Sequence, residues 1–332
     1  MTSQTATFDV RAIRDRLTTK LNQELILTFS LIVLTVVTTS INSRFVSSGN
    51  LSDMLANSAY IAIAAIGMSM VIISGNIDIS VGSLIGLLAT IAGKIATDGD
   101  FPLWMAYVVP VIVGALAGAV NGFLVAYLGI PAIVVTLGMI SVLKGGLILW
   151  TSGRWIYDLP SGFKLAQWDL LGIPVPVLLM IFLAIAFALW MRYSNTGRAI
   201  YAVGGNAEAA RLAGISKRRT LMTIFILHGV TTGIASLLFA TKFNTIQSTV
   251  PPGVEMFIIS ASVIGGVSIL GGVGTVIGST LGAVLLKAID SAMIFANISQ
   301  YWLQAVQGML ILLTVLADLL RRRRQSYLMS RE

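Results

Sequence analysis

The sequence predicts an all-α integral membrane protein with about ten transmembrane helices. Hydrophobic residues make up 56% of the 332 residues, charged residues make up only 11%, and the mean hydropathy is +0.89. A soluble domain has about 25% charged residues. Because a helix needs about 20 apolar residues to cross a hydrocarbon core of roughly 30 Å, the chain is long enough for ten crossings joined by short connections.

Ten apolar runs, bounded by polar residues or helix breakers, define the predicted spans. The stretch from 256 to 295 can also be divided differently. In chain order the spans are 25–40, 55–73, 79–96, 103–128, 132–150, 175–191, 221–240, 256–270, 273–295 and 301–319. They form one transmembrane domain, 25–319, between an N-terminal segment, 1–24, and a basic tail, 320–332.

The distribution of basic residues predicts that both termini are cytoplasmic. With ten crossings, the N-terminal segment with four Lys/Arg, the 192–219 loop with six and the C-terminal tail with five all fall on one side. The loops on the other side hold Arg44, Arg154, Lys164 and Lys242. Loops rich in Lys and Arg stay on the cytoplasmic side. We therefore expect a multi-pass protein of the bacterial inner (plasma) membrane, surrounded by lipid.

Composition also excludes several kinds of chemistry. The chain has no cysteine and one histidine, so we expect no thiol chemistry and no metal site. The net charge of +8 is explained by membrane-flanking residues, and no nucleic-acid partner is expected. A phosphate-binding Gly-x-x-x-x-Gly-Lys-Ser/Thr motif is missing from the sequence. We therefore expect no cofactor and no ATPase activity in this chain.

Glycines inside the spans predict close helix packing. Small residues four positions apart let helix backbones approach each other in lipid. Such pairs occur at Gly114 and Gly118, and within Gly-Ser-x-x-Gly at 82–86 and 278–282. The recurrence of Gly-Ser-x-x-Gly is also compatible with an internal repeat.

Polar residues in or beside the spans are candidates for the transport pathway or its gate. These candidates are Asn57, Asp78, Ser80, Asn121 and Lys144. Polar groups at membrane depth are often functional. Asp78 has an alternative role, because a carboxylate just before a helix can accept hydrogen bonds from free backbone N–H groups.

The longest loop on the outer side carries candidates for docking an extracytoplasmic protein. These are Arg154, Trp155, Asp158 and Lys164, whose charges could form the rim of an interface. Aromatic residues at a span end are also typical of an interfacial belt.

The 192–219 loop is the one long polar segment in the middle of the chain. Its part from Asn206 to Gly214 predicts a short helix between two spans. A short cytoplasmic helix is the kind of feature that a soluble partner can grip.

Four segments resemble the permease subunits of bacterial ATP-binding cassette importers of the ribose, xylose and arabinose type. The segments are GNIDISVGS at 75–83, NGFLVAYLGIPAIVVTLG at 121–138, GRAIYAVGGNAEAARLAGI at 197–215 and VIGGVSILGGVG at 263–274. Within that family, residues 150–160 and 289–291 are most similar to the autoinducer-2 and rhamnose branches.

The resemblance implies a pair of permeases, alike or unlike, with two cytoplasmic ATPase subunits and a periplasmic sugar-binding protein. It implies import of a monosaccharide or sugar-like solute by alternating access. It assigns coupling to the ATPase to Gly205, Asn206, Glu208, Ala209, Ala210, Arg211 and Gly214. The small residues would allow close seating in a cleft of the ATPase, with Glu208 and Arg211 at its edge.

Two other functions remain open from the residues alone. A secondary sugar carrier would need no ATPase subunit, but it would be expected to place carboxylates near the membrane midplane, and the spans offer few. A structural membrane protein would move no solute, which the glycine-rich spans make a poor fit.

Overall fold

The structure, a computed structural model, describes residues 10–299 and 301–329 and is all-helical. The helices of these residues are α1 Val10–Ile41, α2 Ser48–Ile73, α3 Val81–Thr97, α4 Leu103–Ala126, α5 Ala132–Thr151, α6 Val175–Tyr193, α7 Asn195–Gly205, α8 Ala207–Leu212, α9 Lys217–Ala240, α10 Val254–Ile264, α11 Val276–Phe295 and α12 Trp302–Met329. A two-stranded antiparallel ribbon pairs β1, Asp169–Leu170, with β2, Ile173–Pro174. The predicted segments 1–24 and 320–332 lie partly outside the described residues.

Among the residues that the structure describes, seven helices are long and apolar enough to cross a membrane. They are residues 23–41 of α1, then α2, α4, α5, α6, α9 and α11. Three further apolar helices are shorter: α3, α10 and the first half of α12. The prediction of one continuous helix over 256–270 is wrong. α10 ends at Ile264, because Gly266, Gly271 and Gly272 adopt positive φ angles that a helix does not allow.

α2 is the central helix of the bundle. From Ser58 to Ser74, all of which the structure describes, every residue is buried except Tyr60. The sequence permits this burial because α2 carries alanine and glycine on every side, so neighbours approach it all round. Its main neighbours are α9, α11, α10 and α6.

The predicted glycine packing is confirmed between α4 and α9. A Cβ added to Gly114 would meet the carbonyl oxygen of Gly229, and one added to Gly229 would meet that of Gly114. A Cβ added to Gly118 would meet the carbonyl oxygen of Phe225. These backbone contacts explain why α4 and α9 form the most extensive helix pair in the described residues.

The chain between α9 and α10 packs along α3 without forming a helix. Ile246 lies against Gly93, residues 249–251 lie against Gly86, and Glu255 lies against Gly82. Ile246 also exchanges two backbone hydrogen bonds with Ile156, at 2.9 and 3.0 Å. α10, only 11 residues long, therefore begins beside the N-terminal end of α3 after a non-helical stretch.

Both Gly-Ser-x-x-Gly segments contact this stretch of chain. The first, at 82–86, touches the residues leading into α10, and the second touches α10 itself through Gly278 against Gly265 and Gly282 against Ala261. Close packing accounts for the glycines at both places.

Candidate functional site

The predicted short helix on the polar loop is present as α8, Ala207–Leu212. The Asn206 side chain caps it by accepting hydrogen bonds from the N–H groups of Glu208 at 3.1 Å and Ala209 at 3.0 Å. Gly214, with a φ of 80°, ends it. The N–H of Ile215 then donates to the carbonyl oxygen of Ala210 at 2.9 Å.

α8 presents a polar face with one apolar side chain. Gly205, Asn206, Ala209 and Gly214 are exposed. Glu208 and Arg211 form an exposed ion pair at 2.6 Å. The hydrogen bond from Arg211 holds the pKa of Glu208 below its usual value. The apolar side chain on this face is Leu212, which is 75% exposed.

Ala210 faces the other way. It is 4% exposed and packs inside this chain. The Ala210 side chain therefore contacts the bundle, and its small size lets α8 lie close to its own chain. Its assignment to the contact with an ATPase subunit stays a prediction.

α7 connects α8 to the core through contacts that leave no room for side chains. A Cβ added to Gly204 would meet the carbonyl oxygen of Ile73, and the Gly272 nitrogen would lie 2.8 Å from it. The N–H of Gly272 donates to that same Ile73 oxygen at 2.8 Å. We call this contact of α7, the end of α2 and the 265–275 loop the glycine seat.

Tyr201 adds a side-chain hydrogen bond to the glycine seat. Its hydroxyl donates to the carbonyl oxygen of Gly274 at 2.9 Å. Burial raises the pKa of Tyr201 to about 12, so the hydroxyl remains a donor at neutral pH. α7 is thereby held at two points on the 265–275 loop.

Three of the predicted pathway residues meet in one buried polar cluster. Asp78 Oδ1 accepts hydrogen bonds from the backbone N–H of Ser80 at 2.8 Å and from its hydroxyl at 2.5 Å. Asn121 Nδ2 donates to Asp78 Oδ2 at 3.2 Å and to Ser80 Oγ at 3.3 Å. All three are at most 2% exposed. Asp78 thus joins the start of α3 to α4, beyond the simple capping role that its position also allowed.

His228, at the middle of α9, completes this cluster. Its Nε2 lies 3.8 Å from Asp78 Oδ2, which is too long for a hydrogen bond. Both His228 ring nitrogens and Asn121 Oδ1 lack a hydrogen-bond partner among the described residues. The cluster therefore has donor and acceptor capacity that this conformation does not use.

Asn57 and Lys144 lie away from the cluster. Asn57 is half-buried near the N-terminal end of α2, and Lys144 is exposed on the outer face of α5. The structure therefore divides the five pathway candidates into three places.

The predicted docking residues lie on a loop that is tied to the bundle. Arg154, Trp155 and Asp158 are exposed, and Lys164 is half-buried. The Gln167 side chain donates to the carbonyl oxygen of Thr241 at 3.0 Å. The loop thus offers an exposed charged and aromatic surface on a fixed base.

Sequence reasoning did not select His228, Gly204 or Gly272 as functional residues. The histidine carried a usable signal, since it is the only one in the chain and falls inside a span. No sequence signal pointed to the Gly204–Ile73 contact, because the two residues are far apart in the sequence.

These features define an all-helical integral membrane protein that carries a capped polar helix on an arm fixed to its central span. Within the described residues, no group of three or more His, Cys, Asp or Glu could hold a metal ion.

Comparison with known proteins assigns the family. A model described as "Branched-chain amino acid transport system / permease component" matches residues 50–315. The chain is 36% identical over 298 residues to the autoinducer 2 import system permease protein LsrC of Enterobacter sp. (strain 638), covering 90% of this chain and 87% of that one. It is 36% identical to the protein of that name from Klebsiella pneumoniae, with 90% and 86% covered, and 35% identical to that from Escherichia coli (strain K12 / DH10B), with 90% and 87% covered. No solved structure matches the chain significantly.

The chain belongs to this permease family. The resemblance to importer permeases, including the autoinducer-2 branch, is thereby confirmed. The chain is also a multi-pass protein of the bacterial inner membrane, as expected.

Proposed function

We propose that this chain is the permease subunit of an ATP-binding cassette importer that moves a monosaccharide or sugar-like solute into the cytoplasm by alternating access. A separate ATPase subunit supplies the energy, and a periplasmic binding protein delivers the solute. α3, α10 and α12 complete the seven long spans to ten crossings, and both termini are cytoplasmic.

One observation carries this proposal: α8 is exposed, capped at its start and braced at its base. An isolated helix of six residues would not be stable in water. Here the Asn206 cap, the turn at Gly214 and the burial of Ala210 hold it in place. A helix fixed in this way can transmit a push without unfolding.

The contacts of α7 connect α8 continuously to helices inside the membrane, so a displacement of α8 can be transmitted to them. α8 follows α7, and Gly204 of α7 lies on the carbonyl oxygen of Ile73 at the end of α2. Five residues later, the chain reaches Asp78, which is bonded to α4 through Asn121. Packed cores switch between discrete arrangements rather than deforming smoothly. A displacement of α8 would therefore shift α2, α3 and α4 together.

The open face of α5 supports a second permease as partner. No described atom lies within 4 Å of a Cβ built on Gly138, Gly145 or Gly146. Lys144, near the middle of the same helix, is also exposed. Because a charged side chain in lipid is costly, the exposed sides of α5 would meet a second permease or a water-filled path between two copies.

The relatives support a solute of the autoinducer-2 type, since their names describe autoinducer 2 import permeases. We propose autoinducer 2, ribose and rhamnose as the panel for transport measurements. The permease would be reconstituted in vesicles with its ATPase subunits and its binding protein. Uptake is expected to require ATP and to survive a protonophore. ATP-independent uptake that the protonophore abolishes would instead support a secondary carrier.

The position of α8 can be tested with a single thiol, because the chain has no cysteine. We expect the Leu212→Cys variant, whose thiol would be well exposed, to react with an impermeant maleimide only from the cytoplasmic side. Deletion of 206–214 should abolish coupled uptake while leaving membrane insertion intact. Labelling from the periplasmic side, or unchanged uptake after the deletion, would disprove the coupling role.

A further inference from the structure

A stripe of polar residues runs along the N-terminal half of α2, at the end of the bundle opposite to α8. Asp53, Asn57 and Tyr60 follow each other at spacings of four and three and therefore share one helix face. Asp53 is exposed, whereas Asn57 and Tyr60 are half-buried. Tyr60 is the exception within the buried stretch 58–74, so this polar face continues from the exposed Asp53 to the border of the buried part of α2.

Charged groups from α11 and from the chain after α9 lie near this polar face of α2. Lys287 and Asp290 of α11 form an ion pair at 3.0 Å, with each side chain less than one-fifth exposed. The Asp290 carboxylate lies within electrostatic range of Tyr60. Lys242, which follows α9, is half-buried. Burial lowers the pKa of Lys242, Lys287 lowers it further, and the carboxylates of Asp53 and Asp290 oppose the shift.

Aromatic rings complete the surroundings. Lys287 lies over the ring of Phe257 at 4.8 Å, and Lys242 lies over the ring of Phe243 at 4.7 Å. Tyr60 contacts the ring of Phe239, with centroids 5.6 Å apart. Donors, acceptors and ring faces therefore meet at one place.

This combination has the chemistry of a site for a neutral polyhydroxylated solute. Hydroxyl groups both donate and accept, so they can bond to a carboxylate, an amide and an ammonium group at once. The C–H faces of such a solute can pack on aromatic rings, which are usual components of small-molecule sites. A charged solute is less suited, because cations and carboxylates here largely balance each other.

A purely structural role for the charges would be costly. Charged groups that lose contact with water destabilise a protein unless they are paired, and a half-buried carboxylate or ammonium in a membrane protein usually faces a cavity or a path. The Lys287–Asp290 pair sits on α11, and Lys287 also lies over the Phe257 ring of α10. A packing contact of this kind would not by itself require charged groups.

We propose that Asn57, Tyr60, Lys242, Lys287 and Asp290 form the first solute-contact site of the permease, a vestibule for a neutral polyhydroxylated solute at the end opposite to α8. The proposal rests on the function proposed above and names residues that contact its solute. Asn57 and Tyr60 contribute hydrogen bonds at the inner end of the vestibule, and the Lys287–Asp290 pair contributes them from α11.

The vestibule can be tested without any transport measurement. In sealed vesicles the Asn57→Cys variant should react with an impermeant maleimide from the periplasmic side. The Ser58→Cys variant is the matched control, since Ser58 is fully buried and should not react. Absence of labelling at 57 in a correctly inserted protein, or equal labelling at 57 and 58, would overturn the proposal while leaving the coupling role of α8 untouched.

Solute contact itself is tested by selectivity. In the reconstituted complex, Asn57→Leu and Tyr60→Phe should change the ratio of ribose to rhamnose uptake about fivefold, which corresponds to one hydrogen bond of about 1 kcal/mol. Ser58→Ala, at a buried position outside the vestibule, should leave the ratio as in the wild type. If both variants slow the two solutes equally, their role is structural and the proposal is wrong.

If the wild type transports only autoinducer 2, the ribose-to-rhamnose ratio cannot be measured. Solute contact is then tested by protection of position 57 from maleimide labelling. Loaded binding protein should then slow maleimide labelling of Asn57→Cys about fivefold relative to unloaded protein, and equal rates would overturn the proposal. A wild-type complex that transports none of the three solutes would count against the proposed function instead, whereas labelling at 57 would still report the vestibule.

Discussion

The two ends of α2 make different kinds of contact. At its C-terminal end, the carbonyl oxygen of Ile73 meets Gly204 and Gly272, so backbone lies on backbone. At its N-terminal end, Asp53, Asn57 and Tyr60 present side chains to a half-open space. Contacts between backbones leave little freedom to move independently, whereas polar side chains can adapt to different ligands. The comparison suggests that one end of the central helix receives force and the other receives solute.

The largest effect should come from one methyl group at the glycine seat. In the Gly204→Ala variant the new Cβ would collide with the Ile73 carbonyl oxygen, and such overpacking costs about 3 kcal/mol. We expect loss of nearly all uptake and a lower midpoint of thermal unfolding in detergent. For thermal unfolding, the neighbouring Gly205→Ala is the control, because no described atom lies within 4 Å of its Cβ. Equal behaviour of the two variants would break the comparison.

The polar cluster beyond α2 should depend on hydrogen bonding more than on charge. Asp78→Leu would leave the Ser80 N–H and the Asn121 amide unpaired in a buried site, at a cost of about 2 kcal/mol. Asp78→Asn should cost much less, because Asn121 can turn its unpartnered Oδ1 toward the new amide. Thermal unfolding of both variants measures the difference. Similar losses would show that the carboxylate charge itself is needed.

Substitutions at Gly214 can distinguish the effect of backbone strain from the effect of contact with a partner. A residue with a Cβ at a φ of 80° costs about 1 kcal/mol, and asparagine tolerates this conformation better than most. Since no described atom lies within 4 Å of its Cβ, Gly214→Trp should unfold only a few degrees below Gly214→Asn, the difference coming from backbone strain alone. If α8 seats in an ATPase subunit, only the tryptophan should reduce uptake. Equal uptake would place Gly214 outside that contact.

The smallest effect should come from the exposed ion pair on α8. Glu208→Gln should leave thermal unfolding unchanged, because exposed pairs contribute little. Arg211 holds the pKa of Glu208 below its usual value, so the pair persists at neutral pH and is lost only in acid. Wild-type uptake should therefore show no step from Glu208 between about pH 6 and 8. If wild-type uptake did change with pH in this range and uptake by Glu208→Gln did not, Glu208 would have a titrating role.

Local signals in the sequence predicted much of the fold. Long apolar runs predicted the seven long spans, and the Asn206-to-Gly214 pattern predicted α8, because caps and end glycines act within a few residues. The break in 256–270 was missed, although the glycines at 265, 266, 271 and 272 marked it. Hydropathy alone could not reveal it, since glycine interrupts a helix without making the run polar.

The candidate site was predicted only in part. Asp78, Ser80 and Asn121 were selected as polar residues near spans, but their meeting with His228 depends on how α3, α4 and α9 pack. Asn57 was selected without its surroundings, because Lys242 and Asp290 come from distant parts of the chain. Long-range packing, which no spacing in one sequence encodes, decides which polar residues become neighbours.

The short α10 has a consequence for how the protein is made. Eleven helical residues are too few to be inserted as an independent span, and the non-helical stretch before them carries backbone groups that lipid cannot satisfy. Residues 241–264 can pack in place only after α3 has formed the surface at Gly82, Gly86 and Gly93. Assembly of residues 241–264 therefore has to follow that of the earlier helices.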